Sequence, residues 1–424
     1  MARAAIGVSA EAKPALAPLL ERWAAALRHR GFRVLWLSLL PGTLGMMMAS
    51  VAFGYLAYQL SGAATTLALV NAGWGVPMVL VSPLAGVAAD RFRRRTVILI
   101  TQSVIGLTAV VAAVLVATGT IQVWHLVVVA LVQGTAFSFN MPARQALIAE
   151  LVGPDDLANA LALQNAGLSL NRVAGPAIGG ALLTLPAVGA TGVFAVMAGL
   201  YGIVLVLVRR LPATAGRTGI RPRTPARGAR QLVAGLTYVA AQPRLRRLLV
   251  LAFLPLLFGM PYQALMPAVA AEVFRVDAAG LGALLTANGV GALAGSLVLA
   301  GMGRAARLGR LQLGAGLLFG AALVAFALVG SFLPALGCVA LAGGGSAVYS
   351  AANSTLLMSQ TPPEYHGRVM GVYFMTFAAM PLSSLPAAWV ADQVGLPATL
   401  AGCGALSAVV VALLGRRPPP VPAA

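Results

Sequence analysis

Twelve apolar runs of about 20 residues alternate with short polar turns along this chain, and that alternation leaves few folds open. As helices, runs of this length cross a hydrocarbon core ~30 Å thick. They fall at about 34–60, 66–89, 96–117, 121–141, 161–183, 190–208, 247–271, 278–302, 311–329, 332–358, 368–390 and 394–415. Of the 424 residues 59% are hydrophobic and only 9% are charged, where a soluble domain carries roughly 25%. Mean hydropathy is +0.89. In water such a chain would expose long apolar faces, so a soluble enzyme is excluded. The expected fold class is an all-α membrane protein with twelve transmembrane helices.

The basic residues give the expected orientation. Of 29 Lys and Arg, 27 fall in the two termini and in the loops after spans 2, 4, 6, 8 and 10. Arg275 lies on the opposite side, and Arg172 lies inside span 5. Positive charge is retained on the cytoplasmic side, so both termini are expected in the cytoplasm of a bacterium, with the chain multi-pass in its inner membrane. The net charge of +19 thus reflects topology, and no nucleic-acid partner is expected. The chain divides into a cytoplasmic amphipathic segment (1–33), a first bundle (34–208), a basic linker (209–246), a second bundle (247–415) and a tail (416–424).

Several chemistries are absent. The only lysine is Lys13, so the body of the chain has no Walker or Schiff-base lysine. Cys338 and Cys403 have no partner spacing, and His29, His125 and His366 form no metal-ligand pattern. No cofactor or metal is expected.

The halves repeat at an offset of 209 residues: Gly86 matches Gly295, Arg95 matches Arg304, and Pro154-Asp155 matches Pro363-Glu364. Same-direction repeats about an axis along the membrane normal are one of the known transporter symmetries. The stretch Gly86-Val-Ala-Ala-Asp90-Arg91-Phe-Arg-Arg94-Arg95 resembles the loop 2–3 signature of the major facilitator superfamily, with Arg93 where that pattern has Gly. Gly175-Pro176-Ala-Ile-Gly179-Gly180 is similar to the antiporter signature of its exporters. Pro142-Ala-Arg144-Gln145 through Glu150 and Pro154 to Asn171-Arg172, and Thr361 through Val369, resemble the branch that holds the enterobactin exporter and macrolide efflux proteins. The arginine that many proton-coupled exporters place before a Gln-Gly pair in span 4 is Ala130 here, before Gln133-Gly134.

The resemblance implies two pseudo-symmetric six-helix bundles and three sets of site residues. A cytoplasmic latch would use Gly86, Asp90, Arg91, Arg94 and Arg95, with Arg144 and Glu150 as further members; the alternative is that these charges only set topology. An outer seal would use Gly175, Pro176, Gly179 and Gly180 of span 5 against Gly291 and Gly295 of span 8; ordinary close packing is the alternative. Candidate cavity residues are Met47, Ser50, Phe53, Gln133, Phe137, Asn140, Arg172, Met260, Tyr262, Gln263, Tyr349, Asn353, Tyr373 and Phe377, residue types that also fill helix interfaces.

All ten acids (Glu11, Glu21, Asp90, Glu150, Asp155, Asp156, Glu272, Asp277, Glu364 and Asp392) avoid the depth of the spans. Arg172 does not, and a mid-membrane arginine should face protein or water. Either it is a structural pin held by carbonyls and Asn171 or Asn140, or it gives the cavity a positive potential. The expected function is export of small amphiphilic compounds, such as a drug, antibiotic or siderophore-like metabolite, by a monomer. The mechanism would be alternating access with proton coupling, amid membrane lipids. Import, lysophospholipid flipping and a non-transport scaffold are the alternatives.

Overall fold

The computed structural model describes residues 25–212, 236–302, 308–362, 365–366, 368–370, 372–373 and 380–415, without the side chains of 82–84, 86–91, 380 and 381. Most of the two terminal segments and of the linker therefore lies outside the described residues. So do Phe377, the repeat members Arg304, Pro363 and Glu364, and the side chains of Gly86, Asp90 and Arg91.

The described chain is helical throughout, with no strand among the described residues. Span 1 is Arg30–Ser61, span 2 Ala64–Arg91 and span 3 Arg94–Ala117. Spans 4 and 5 run on as Val123–Thr184, broken at Gly153, whose φ of 72° and ψ of −179° leave the helical region. Pro154 follows it, and a residue before proline is pushed out of the α conformation; Gly153 has no Cβ to resist the positive φ. Span 6 is Gly189–Arg209. Span 7 comes in pieces, Pro243–Gly259, Pro261–Ala268 and a wide final turn Val269–Val273. Spans 8 to 10 are Ala278–Gly301, Leu308–Leu328 and Phe332–Ser359. Span 11 is described over Met380–Val394, and span 12 is Leu396–Gly415.

Ten described stretches are long and apolar enough to cross a membrane. One is the 62-residue helix that holds spans 4 and 5, and span 11 is described only over its final 15 residues. Twelve spans follow. Leu80, Leu107, Leu170, Leu297, Leu333 and Leu413 stand at least 60% exposed around the outside, where hydrocarbon would solvate them.

Each half closes by glycine-mediated contact, and the repeat extends into the packing. A Cβ on Gly134 of span 4 would run into the Trp74 carbonyl of span 2. Its counterpart 209 residues on, Gly343 of span 10, meets the Asn288 carbonyl of span 8 in the same way. Polar stripes do similar work. Gln133 and Asn140, two turns apart on span 4, donate to Thr108 (3.0 Å) and Thr101 (2.8 Å) on span 3.

The bundle has a face of short loops, where spans 1 and 2 or 7 and 8 join, and an opposite, arginine-rich face. The two halves meet toward the short-loop face. There Asp392 at the end of span 11 accepts the N–H groups of Ala64 (2.9 Å) and Thr65 (3.1 Å) and the Thr65 hydroxyl. It caps span 2, where four orphan donors need acceptors. Tyr58 donates to Glu272, and Pro267 of span 7 fits the notch at Gly54 of span 1. Span 7 divides accordingly. Pro261–Ala268 packs on spans 1 and 2 as well as on spans 8, 11 and 12 of its own half, whereas Pro243–Gly259 packs on spans 9, 10, 11 and 12.

Candidate functional site

Immediately beneath this closure, polar side chains from three spans face the seam between the halves, backed by Asn288 of span 8, which turns toward span 10. Ser50 lies one turn below Gly54, on the same face of span 1, and is exposed. Gln263, also exposed, lies one turn below Pro267 on span 7. Its amide is 3.3 Å from the Tyr262 hydroxyl and 3.5 Å from Asn288 Oδ1 of span 8. Asn288, half-buried, also donates to the Tyr262 hydroxyl.

Arg172 completes the group. At about 100° per residue, its side chain projects between two packed faces of span 5. Asn171, Gly175 and Gly179 face span 1, through the Leu40 carbonyl (2.9 Å), Met47 and Met48. Pro176 and Gly180 face span 8 at Gly282. The lipid-facing Leu170 points the opposite way, so the exposed Arg172 looks into the interior. Asn171 and Asn140 are bonded elsewhere, and among the described residues Arg172 has neither a hydrogen bond nor an ion pair. The structural-pin expectation therefore fails: the side chain is directed away from the carbonyls and amides that were to hold it.

Spans 5 and 8 do meet, through partners other than those expected. A Cβ on Gly180 would lie 2.7 Å from the Ala278 carbonyl oxygen, and one on Gly289 would lie 2.8 Å from that of Arg172. Thr286 adds a hydrogen bond to the Val173 carbonyl at 3.3 Å. Gly291 and Gly295 do not face span 5. They press on Ala340 and Gly344 of span 10, within their own half. Gly175 and Gly179 serve span 1, leaving Pro176 and Gly180 at the seam. The signals missed in the sequence were Gly282, Gly289 and Asn288.

The basic cluster is also placed differently from the expected latch. Arg94 donates to Glu150 (2.9 Å) and to the Ala146 carbonyl (3.2 Å) of span 4. Arg95 reaches the Val208 (3.4 Å) and Arg209 (2.8 Å) carbonyls at the end of span 6. Arg144 is buried and donates to the Leu35 carbonyl (3.1 Å) and to Ser38 of span 1. All these contacts stay inside the first half, because each guanidinium finds carbonyls of neighbouring helices nearer than the seam.

Of the expected cavity residues, several turn into their own half. Gln133 and Asn140 face span 3, and Tyr349, Asn353 and Tyr373 bond the Leu251, Leu248 and Ser350 carbonyls. Tyr262 is fully buried, presenting only its hydroxyl to Gln263 and Asn288. Phe53 sits edge-on to Phe194 and Phe137 beside Trp74, both pairs at 5.1 Å. Met47 and Met260 are half-buried. Among the described residues no group of His, Cys, Asp and Glu could hold a metal ion.

Comparison with known proteins matches this architecture. The model of the transmembrane secretion effector family matches residues 21–423. The chain is 28% identical over 379 residues to the multidrug efflux pump Tap of Mycolicibacterium fortuitum, covering 86% of this chain and 90% of that one. It is 28% identical over 351 residues to the enterobactin exporter EntS of Shigella flexneri, covering 81% of each. Among solved structures, an inward-facing bacterial homologue of the iron transporter ferroportin superposes with a TM-score of 0.68 at 17% identity, covering 92% of this chain and 99% of the other. An unoccupied, inward-facing bacterial homologue of the lysosomal transporter Spinster gives 0.70 at 14%, covering 93% and 97%.

Proposed function

The chain belongs to the transmembrane secretion effector family of major facilitator transporters, and from that premise we propose that it exports small amphiphilic compounds from the bacterial cytoplasm by alternating access. The observation that carries this reading is the division of span 7 at Met260–Pro261. Beyond the break the span packs on both halves at once; before it, the span packs on its own half. Two bodies hinged at one face, with exposed polar groups under the hinge, suit a site open to one side at a time.

Arginine retention assigns the arginine-rich face to the cytoplasm, so the closure lies outside and the cavity opens inward. Substrate enters from the cytoplasm and settles between Ser50, Arg172 and Gln263. Release then requires the Gly180–Gly282 contact and the Asp392 cap on span 2 to part. Asp90 and Arg91 keep the role of a cytoplasmic latch for the opposite state, while Arg94, Arg95, Arg144 and Glu150 brace the first half. With no acid deep in a span, proton coupling falls to groups at the span ends. Among these, Asp392 and Glu272 sit on the contacts that must break.

The test is flux in everted membrane vesicles. Vesicles from expressing cells are expected to take up amphiphiles such as antibiotics or siderophores when energised, and to stop when the proton gradient is collapsed. Uptake in the opposite orientation only would make the protein an importer. Insensitivity to the gradient would remove the proton from the cycle.

A further inference from the structure

Arg172 is the one ionisable side chain placed deep in a span by sequence, and it carries no partner among the described residues. A mid-membrane arginine is tolerated where it faces a water-filled cavity, and the exposed Arg172 is open there to a ligand's counter-charge. Each of the ten acids stands near a span end or in a loop. The groups across the seam are amides. A Cβ at Gly289 would touch the Arg172 carbonyl at 2.8 Å, while Asn288 beside it turns toward span 10 and the Val339 carbonyl (3.4 Å). Gln263 reaches Asn288 from span 7 at 3.5 Å. The N–H groups of both amides are thus engaged within the second half, and the open donors at the seam are the five of Arg172.

We infer that Arg172 forms a subsite for the anionic oxygen head of the transported amphiphile: a carboxylate, sulfonate, phosphate or ionised catechol. The inference rests on the export reading and names its substrate class. A guanidinium pairs such heads through two parallel hydrogen bonds. The neighbouring amides of Gln263 and Asn288 add no competing negative charge. A lipophilic cation would meet uncompensated positive charge here and be disfavoured.

The experiment holds the hydrophobe constant and varies the head. Purified full-length protein in neutral detergent is titrated with pyrenebutyrate, pyrenebutyramide and a pyrenebutyl trimethylammonium salt, followed by pyrene fluorescence. The expected result is about tenfold tighter binding of the carboxylate than of the amide, with the cation weakest. Arg172→Gln erases that preference and leaves amide binding unchanged; Arg172→Lys keeps most of it. An unchanged melting midpoint certifies the fold of each variant. Displacement by lysophosphatidylglycerol would assign the subsite to a lipid head group, and its failure to displace would assign it to soluble amphiphiles.

Equal binding of acid and amide, a preference that survives Arg172→Gln, or tightest binding of the cation overturns the subsite. If vesicle export of neutral amphiphiles persists in those cases, the transport reading stands without it. Folded wild-type protein that binds none of the three overturns the subsite and counts against amphiphile export as well.

Discussion

Gly180 of span 5 and Gly282 of span 8 meet backbone to backbone: a Cβ on Gly180 would lie 2.9 Å from the Gly282 Cα, and one on Gly282 would lie 2.6 Å from the Pro176 carbonyl oxygen. The atoms in the way are main chain, which no rotamer change can move. Gly282→Val is therefore expected to hold the halves apart at the short-loop face while each half keeps its fold. Export should fall at least tenfold with the melting midpoint little changed. Gly291→Val, pressing on Ala340 inside one half, is overpacking of the usual kind. It should cost about 1–3 kcal/mol of stability and lower expression. Similar behaviour of the two variants in both assays would refute the distinction.

Asp392 takes three donors at the head of span 2. Loss of an N-cap acceptor costs about 0.5–2 kcal/mol, and here the cost falls only on the state with the outer face closed. Asp392→Ala should shift the population toward outward opening by roughly 2- to 30-fold. The check is a cysteine at Ser50, in a background with Cys338 and Cys403 replaced by serine, labelled by a membrane-impermeant thiol reagent added outside intact cells. Faster labelling in the Asp392→Ala variant is the expected outcome.

The spans were legible because apolarity over about 20 residues leaves a chain little choice. Side-chain direction was not. Gly282 and Gly289 are seven residues apart and share one face of span 8; Gly291 is nine residues from Gly282, about half a turn round the helix. Both stripes are small-residue stripes, and only the neighbours decide that one meets span 5 and the other span 10. Gln133 and Asn140 misled for the same reason. An amide stripe suits a cavity, yet it also suits Thr108 and Thr101, whose spacing of seven on span 3 matches it. Arg172 was found because a charge inside a span is conspicuous on cost alone. Asn288 and Gly282 were missed because neither is.

Arg94 and Glu150 form an ion pair in which the arginine side chain is 8% exposed and the glutamate 34%. Arg94 also holds the Ala146 carbonyl. Arg94→Ala removes its bonds to Glu150 and to the Ala146 carbonyl, at about 0.5–1.5 kcal/mol each; Glu150→Gln keeps an acceptor and should cost less. Both should lower the melting midpoint in that order. Since the pair lies wholly within the first half, neither should alter labelling of the cysteine at Ser50. A gating role would instead change labelling with little effect on melting.

Tyr349 and Gln263 were expected to share a cavity wall, and the structure separates them. The Tyr349 hydroxyl donates to the Leu251 carbonyl inside the second half and is 1% exposed, whereas Gln263 faces the seam. Tyr349→Phe removes one buried hydrogen bond, worth about 0.5–1.5 kcal/mol, and should lower the melting midpoint by a few degrees. The spectrum of exported compounds should stay as it was. Gln263→Ala removes an exposed amide whose hydrogen bonds, to the Tyr262 hydroxyl and Asn288, are long ones at 3.3 and 3.5 Å, so stability should hold while the relative export of acidic and neutral compounds shifts by about threefold or more, the size of one lost polar contact. Measuring melting and a two-compound export ratio on both variants tests the assignment of each side chain, because burial predicts opposite columns of effect and no effect for the two.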